Sequence, residues 1–225
     1  FKTYALQGGE LEELKAEFKL DSDLNDNIGA LTLTQFNGAT LATSEGRDGV
    51  SLPNTDSGLY PSTPIELSDY YTISLMFKDL KDINSAQSNW MMFDGYSNAG
   101  TNGSFGGDTA GYIASIYTNQ ELGAWDTGWN SSGFQMTQAN YSGNGWHHLA
   151  AVYYAGTVTY YVDGQQAGNP VAYSGRPNIQ AIGSWANYDY APADYIDQVL
   201  IYDRALSENQ IVEIYNNDGA TQAPA

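Results

Sequence analysis

The chain has 225 residues, a net charge of −18 and no cysteine. A negative field of this size repels phosphate backbones and anionic lipid surfaces, so it argues against nucleic-acid binding and membrane docking. The absence of cysteine excludes disulfides, zinc-thiolate sites and thiol nucleophiles. Hydrophobic residues make up 42% of the chain, enough for a substantial core, and 24 Gly with 18 Tyr favour strands and turns over helices.

Residues 1–15 are predicted to be a helical connector, because Leu11, Leu14 and Phe18 recur at helical spacing. From residue 16 onward, short β-type runs alternate with turns rich in Gly, Asn, Asp and Ser. The predicted strands are 30–36, 50–53, 70–78, 89–95, 111–117, 134–139, 146–154, 157–164, 178–185 and 194–203. This pattern predicts an all-β fold, a two-sheet antiparallel β-sandwich or jelly roll.

Local signals mark one turn and one further helix. Asp163-Gly164 lies between β-type flanks and predicts a tight hairpin, because both residue types tolerate positive φ. Ser207 and Gln210 form a capping box, with Leu206 and Ile211 placed as a hydrophobic staple, so a C-terminal helix is expected to dock on a sheet. Residues 217–225 are interpreted as a linker. The start at Phe1 is interpreted as a sign of flanking domains in a longer chain.

The adjacent histidines His147 and His148 invite a catalytic or metal-binding interpretation. In a strand, neighbouring side chains point to opposite faces, so the two rings diverge and one ion cannot readily bind both. Both faces of 146–154 are largely apolar, as in a central strand that is covered on both sides. We therefore expect a structural role for the pair.

Three segments resemble signatures of the laminin-G-like/concanavalin A-like jelly-roll domains. They are GWHHLAAVYYAGTVTYYVDGQQAG, DYIDQVLIYDRALSENQIVEIYN and EFKLDSDLNDNIGALTLTQFNG. The resemblance implies one domain over residues 16–216, a monomeric module with a short helix at each end. Such domains occur as lectins, carbohydrate-binding modules, adhesin domains and appendages of glycosidases, so the fold alone does not name a ligand.

The resemblance also implies a structural Ca²⁺ between the N-terminal segment and the closing strand. On that analogy Asp197 is the best side-chain ligand, with Asp26 or Asp48 as its partner. The alternative is that Asp197 caps a backbone turn. The run DSDLNDN imitates the start of an EF-hand, but Asp26 stands where Gly is required and Thr32 where a bidentate Glu belongs.

A catalytic site is not expected. The paired acids of a retaining β-glucanase are missing, and NIQAIGSW lacks the histidine of an alginate-lyase strand. No G-x-S-x-G or H-E-x-x-H occurs.

The loops offer ligand chemistry instead. Carboxylate and amide oxygens on glycine-rich loops suit Ca²⁺, and aromatic rings stack on the C–H faces of sugars. A second Ca²⁺ is predicted at Asp94, Asp108 and Asp189. The predicted ligand-binding residues are Asp94, Asn98, Asp108, Trp125, Asp126, Trp129, Trp185, Asn187, Tyr188 and Asp189.

These patterns predict a non-catalytic, Ca²⁺-assisted carbohydrate-binding module of a larger extracellular bacterial protein, an adhesin at the cell surface. The expected partner is a glycan or polysaccharide, with no nucleic acid and no membrane insertion. Three alternatives stay open. The domain holds a peptide through a carboxylate on Ca²⁺, it is a glycoside hydrolase or polysaccharide lyase of the same fold, or it is a structural spacer with no ligand.

Overall fold

The computed structural model describes residues 14–83, 89–96, 112–125, 128–174, 178–184 and 190–218. The first strands along the chain are β1 (Leu14–Phe18), β2 (Leu33–Phe36), β3 (Thr40–Ser44), β4 (Arg47–Ser51), β5 (Gly58–Pro61), β6 (Tyr71–Leu80), β7 (Asn89–Tyr96) and β8 (Tyr112–Tyr117). The later elements are β9 (Glu121–Trp125), β10 (Trp129–Gln135), α1 (Gln138–Tyr141), β11 (Trp146–Tyr154), β12 (Thr157–Val162), β13 (Gln165–Gln166), β14 (Val171–Ala172), β15 (Asn178–Ile182), β16 (Ala193–Tyr202) and α2 (Glu208–Asp218). Neither helix in these ranges is long and apolar enough to cross a membrane.

The strands form two antiparallel sheets. The larger sheet has the order β13-β12-β11-β6-β16-β4-β3, with β1 paired to β16 and β14 paired to β12. The smaller sheet has the order β10-β9-β8-β7-β15-β5-β2. One hydrophobic cluster contains residues of both sheets, among them Phe77 and Leu149 from the larger and Leu59, Phe93 and Ile116 from the smaller. The predicted β-sandwich is therefore confirmed.

Strand β11 lies in the middle of the larger sheet, between β6 and β12. Its alternate residues Leu149 and Ala151 belong to the core between the sheets, whereas Ala150 and Val152 belong to a second apolar cluster on the opposite face. The strand is covered on both sides, which explains why its sequence is apolar at nearly every position.

Helix α2 covers part of the outer face of the larger sheet. Its buried residues Ile211 and Ile214 pack with Leu206 and the outward side chains of the sheet. One of the two hydrogen bonds of the predicted capping box is present: the backbone N–H of Ser207 donates to Gln210 Oε1 over 2.9 Å. The C-terminal helix is therefore confirmed as an element that docks on a sheet.

The predicted N-terminal helix lies outside the described residues except at its end, where Leu14 and Lys15 belong to strand β1. A register shift between Leu14 and Ala16 places Leu14 in the cluster beneath α2 and Phe18 in the main core. A spacing of four therefore did not put these two side chains on one face. Pairing with β16 supplies the backbone hydrogen bonds that a helix would have made internally.

The strand predicted at 134–139 lies earlier in the chain, as β10 (Trp129–Gln135), and the predicted turn at Asp163-Gly164 is confirmed. The predicted strand 134–139 ends at Gln135, because the Thr137 side chain accepts a hydrogen bond from the Asn140 N–H and caps helix α1. Between β12 and β13, Asp163 has φ 50° and Gly164 has φ 75°, the two successive positive values that a type I′ turn requires.

The docking of α2 predicts a stability difference within one helix. Ile211→Ala leaves a cavity at a fully buried position and is expected to lower the free energy of unfolding by about 2–5 kcal/mol. Asn216→Ala changes an exposed residue of the same helix and is expected to stay within about 0.5 kcal/mol of the parent. Urea denaturation measures both variants. Equal losses in the two would contradict the packing of α2 described here.

Candidate functional site

The structure describes three of the residues predicted to contact a ligand, and all three lie in the smaller sheet. Asp94 is in β7, Trp125 ends β9 and Trp129 begins β10. The others lie outside the described residues: Asn98, Asp108, Asp126, Trp185, Asn187, Tyr188 and Asp189. The described part of the candidate site is therefore the surface that holds Trp125 and Trp129.

Four partly buried aromatic residues lie on the outer face of the smaller sheet. Tyr112 pairs with Trp125 across β8 and β9, and Trp125 pairs with Trp129 across β9 and β10. Side chains paired in this way point to the same side of a sheet. Tyr117 stands on the same side, because its ring stacks on that of Trp129 with centroids 4.9 Å apart. We call Tyr112, Tyr117, Trp125 and Trp129 the aromatic face.

The opposite side of these strands explains why the rings point outward. Leu122 and Ala124 of β9 and Ile116 of β8 are fully buried in the core between the sheets. Residues at alternate positions therefore face away from the core. The aromatic face does not contribute to the packing between the two sheets.

A glycine lets the Trp129 ring lie close to the sheet. A Cβ added at Gly123 would come within 2.9 Å of two Trp129 ring carbons and 2.3 Å from the Asn130 carbonyl oxygen. Real Cβ atoms do not approach this closely, so a side chain at Gly123 would displace the indole. The Trp129 ring is therefore held between Gly123 below it and Tyr117 beside it.

A polar group borders the aromatic face. The Glu121 carboxylate accepts hydrogen bonds from Ser131 Oγ at 2.6 Å, Asn119 Nδ2 at 2.6 Å and Gln135 Nε2 at 3.4 Å. Ser131, Asn119 and Gln135 are exposed, and Glu121 is partly buried. The group offers amide and hydroxyl functions beside flat apolar rings.

Asp94 lies on the same side of the sheet but is fully buried. Asp94 pairs in register with Ala181 of β15, and it lies close enough to Tyr60 of β5 for its charge to act on that side chain. Burial raises the pKa of Tyr60, and the charge of Asp94 raises it further. The Tyr60 ring stacks on Phe36 with centroids 3.9 Å apart. Asp94 is thus part of the smaller sheet's outer face without being open to solvent.

Sequence reasoning did not select Tyr112, Tyr117 or Glu121. A usable signal existed for Tyr117 and Glu121, because each adjoins a residue of the buried core, Ile116 and Leu122 respectively. Alternation then places them outward. Tyr112 carried no such signal, since a register shift between Tyr112 and Ser115 breaks the alternation of β8.

The residue predicted as the main structural calcium ligand, Asp197, lies on the outer face of the larger sheet. A bulge in β16 follows it, with Gln198 at φ 47°. The Asp197 carboxylate is almost fully buried and accepts a hydrogen bond from Nε of Arg47. The Arg47 guanidinium also lies over the Trp146 ring, 5.3 Å from its centroid. The positive charge next to Asp197 therefore comes from Arg47.

The two predicted partners of Asp197 have contacts of their own. The Asp26 carboxylate accepts hydrogen bonds from the backbone N–H groups of Glu17, Ile28 and Gly29, at 3.0, 2.9 and 3.0 Å. The exposed Asp48 accepts one from the Thr43 hydroxyl. As placed, these carboxylates do not form the shell of six to eight oxygens that Ca²⁺ takes. No group of three or more His, Asp or Glu side chains in the described ranges is arranged to hold a metal.

The histidines point to opposite faces of β11. His147 Nδ1 lies 2.8 Å from Asp163 Oδ2, and its Nε2 lies 3.1 Å from Asn144 Oδ1. His148 is buried, and its Nε2 lies 3.2 Å from Ser74 Oγ. Desolvation lowers the pKa of His148 to about 4. The Asp163 carboxylate also accepts the His148 backbone N–H at 2.9 Å, so it joins the hairpin turn to the strand.

Comparison with known proteins identifies the family. The model of the concanavalin A-like lectin/glucanases superfamily matches residues 45–212. The chain therefore belongs to this superfamily. No curated protein matches the chain.

Solved structures share the fold at low identity. Domain 4 of AbnA, a GH43 extracellular arabinanase from Geobacillus stearothermophilus in complex with arabinotriose, aligns with a TM-score of 0.63 and 21% identity, over 90% of this chain and 98% of that one. The binding domain of botulinum neurotoxin serotype D aligns with a TM-score of 0.63 and 11% identity, and this chain covers 52% of it. Trypanosoma rangeli sialidase aligns with a TM-score of 0.63 and 12% identity, and this chain covers 33% of it. At identities this low, the structural similarity shows a common fold and no shared function.

The ion pair of Arg47 and Asp197 predicts a large effect from a single change. Arg47→Met leaves a buried carboxylate without its positive partner and is expected to cost about 3–5 kcal/mol of unfolding free energy at pH 8. The double variant Arg47→Met/Asp197→Asn removes both charges and is expected to recover at least half of that loss. Urea denaturation measures both. A single variant within about 1 kcal/mol of the parent would contradict a stabilising role for Arg47.

His148 predicts an acid-dependent loss of stability. Its pKa is about 4 in the folded chain and 6.5 in the unfolded chain, so the unfolded state binds the proton more tightly. The neutral ring therefore stabilises the fold above pH 6.5, and about 2–3 kcal/mol is lost as the pH falls to 4. Asp197 acts in the opposite direction. Burial raises its pKa to about 7, although Arg47 lowers it, so the fold loses stability as the pH rises and this buried carboxyl group ionises.

The difference between His148→Gln and the parent isolates the histidine, since Asp197 is common to both. Unfolding free energies from urea titrations at several pH values are expected to fall less steeply for the variant between pH 6.5 and 4. Parallel curves would show that His148 does not titrate in this window.

Proposed function

We propose that this domain is a non-catalytic carbohydrate-binding module and that the aromatic face holds the glycan. The observation that carries the proposal is the placement of four aromatic rings on the outer face of a sheet whose other face forms the core. Rings that serve no packing between the sheets, yet stay partly exposed as a group, mark a surface for a partner. A neighbour of the same fold, domain 4 of AbnA, is described in complex with arabinotriose.

The chemistry of the aromatic face suits a sugar. A pyranose or furanose ring presents C–H groups on one side, which pack against an indole or phenol ring, and hydroxyls at its edge. The Trp129 ring is fixed by Gly123 and Tyr117, so little conformational entropy is lost when a ligand packs on it. The exposed Ser131, Asn119 and Gln135 supply donors and acceptors for sugar hydroxyls.

The proposal is a binding module rather than an enzyme. The Glu121 carboxylate, which borders the aromatic face, already accepts hydrogen bonds from three side chains. A glycosidase needs a second carboxyl group about 5–10 Å from the first, in a cleft. The setting that we propose is a larger extracellular bacterial protein, such as an adhesin. Calcium at the predicted ligands Asp94, Asp108 and Asp189 also stays a proposal.

A glycan array followed by titration tests the site. For the strongest oligosaccharide hit, Trp129→Ala is expected to weaken binding at least about tenfold, because one of the two indole rings of the face is lost. Tyr154→Ala is the matched control, since Tyr154 is 61% exposed at the end of β11 in the larger sheet. Its affinity is expected to equal the parent's. Circular dichroism melts check that both variants fold.

The same measurements separate the rival functions. Repeating the titration in EDTA tests whether calcium contributes, and an unchanged Kd would remove calcium from the site. Release of reducing sugar or of unsaturated product from a polysaccharide panel would favour a hydrolase or lyase. A protein that binds peptides but no glycan on the arrays would replace the carbohydrate proposal with the peptide one.

A further inference from the structure

The basic residues are unevenly divided between the two sheets. None of the seven strands of the smaller sheet contains Lys, Arg or His. The basic side chains that the structure describes lie in the larger sheet and in the segments that adjoin it: Lys15, Lys19, Arg47, Lys78, Lys81, His147, His148 and Arg204. In the part of the chain that the structure describes, the two sheets therefore differ in their content of basic residues.

The sequence around the aromatic face extends this division. Residues 82–146 contain no Lys, Arg or His at all. The same segment carries five acidic residues: Asp82, Asp94, Asp108, Glu121 and Asp126. It supplies β7 to β10 and therefore all four rings of the aromatic face. Neither these strands nor the connections between them provide a basic side chain for a ligand.

The cations of the larger sheet are already engaged. Lys15 pairs with Asp203 at 3.1 Å and Lys81 with Asp194 at 2.9 Å. Arg47 pairs with Asp197, and Lys78 lies between Glu45 and Asp79. Each of these side chains neutralises a carboxylate within its own part of the fold. They are not arranged to serve a ligand on the other sheet.

From this division we infer that the aromatic face selects neutral glycans and rejects anionic ones. The inference rests on the proposed function and names the class of its ligand. Recognition of a uronate, sialate or sulfate group relies on Arg or Lys, through charge-assisted and often bidentate hydrogen bonds. The aromatic face offers the Glu121 carboxylate instead, which repels an anionic sugar stacked on the adjacent Trp129.

A matched panel tests the selection. Neutral arabino-, xylo-, gluco- and manno-oligosaccharides are compared with oligouronates and with sialylated and sulfated oligosaccharides, on the parent and on Trp129→Ala. The binding that Trp129→Ala abolishes is expected to be confined to neutral probes. Anionic probes are expected to bind at least about tenfold more weakly, by a margin that narrows at high salt. An anionic probe as the tightest Trp129-dependent ligand would overturn the inference.

Two charge variants show whether the discrimination is local. Glu121→Gln and Glu213→Gln each remove one negative charge, the first beside the aromatic face and the second on helix α2. Glu121→Gln is expected to raise the affinity for anionic probes several-fold relative to neutral ones, and Glu213→Gln is expected to leave that ratio unchanged. Equal shifts in both would assign the rejection to net charge and overturn the role of the face.

The two levels of the proposal fail differently. If no probe shows Trp129-dependent binding, the proposed function fails and the inference fails with it. If Trp129-dependent binding is found for anionic probes at neutral-probe strength, the aromatic face remains a glycan site and only the inferred ligand class is wrong.

Discussion

Packing between the two sheets determines what the rest of the molecule can do. Each strand alternates its side chains, so a residue buried between the sheets places its neighbours on an outer face. Leu149 and Ala151 enter the core and leave Ala150 and Val152 for helix α2 to cover. Leu122 and Ala124 enter the same core and leave Trp125 on the open side of the smaller sheet. The aromatic face, our proposed binding surface, is thus a consequence of the packing that holds the sandwich together.

The outer faces of the two sheets carry different kinds of side chain. On the larger sheet, α2 buries the apolar side chains, and the remaining area holds charged groups in ion pairs, with Arg47 and Asp197 as the most deeply buried pair. On the smaller sheet, aromatic rings stand beside hydroxyl and amide groups without a basic residue. Buried ion pairs need specific partners to offset desolvation, so they suit a face that is part of the scaffold. A flat aromatic surface has no such requirement and remains open to a ligand.

Residue type alone was a poor guide to chemistry in this chain. His147 and His148 would suit a metal or a proton relay, yet one hydrogen-bonds the turn at Asp163 and the other lies buried against Ser74. Asp197 would suit calcium, but its neighbour is Arg47, which is 150 residues away in sequence. Residues that are this far apart in sequence are brought together by strand pairing, and no local sequence pattern predicts their contact. Three residues around the aromatic face were also missed. Alternation from the buried Ile116 and Leu122 would have placed Tyr117 and Glu121 outward, whereas a register shift in β8 hid Tyr112.

The sequence by itself determined the class of fold, most of the long strands, the Asp163-Gly164 turn and the C-terminal helix. Those features follow from local preferences and from hydrophobic periodicity, which are properties of short segments. It also selected Trp125 and Trp129 as candidate ligand-binding residues. The tertiary structure alone decided that Leu14 joins a strand, that Tyr112 and Tyr117 meet these tryptophans on one face, and that the basic residues of the described ranges lie in or beside the other sheet. These outcomes depend on strand order and register, which are set by contacts between segments distant in the chain.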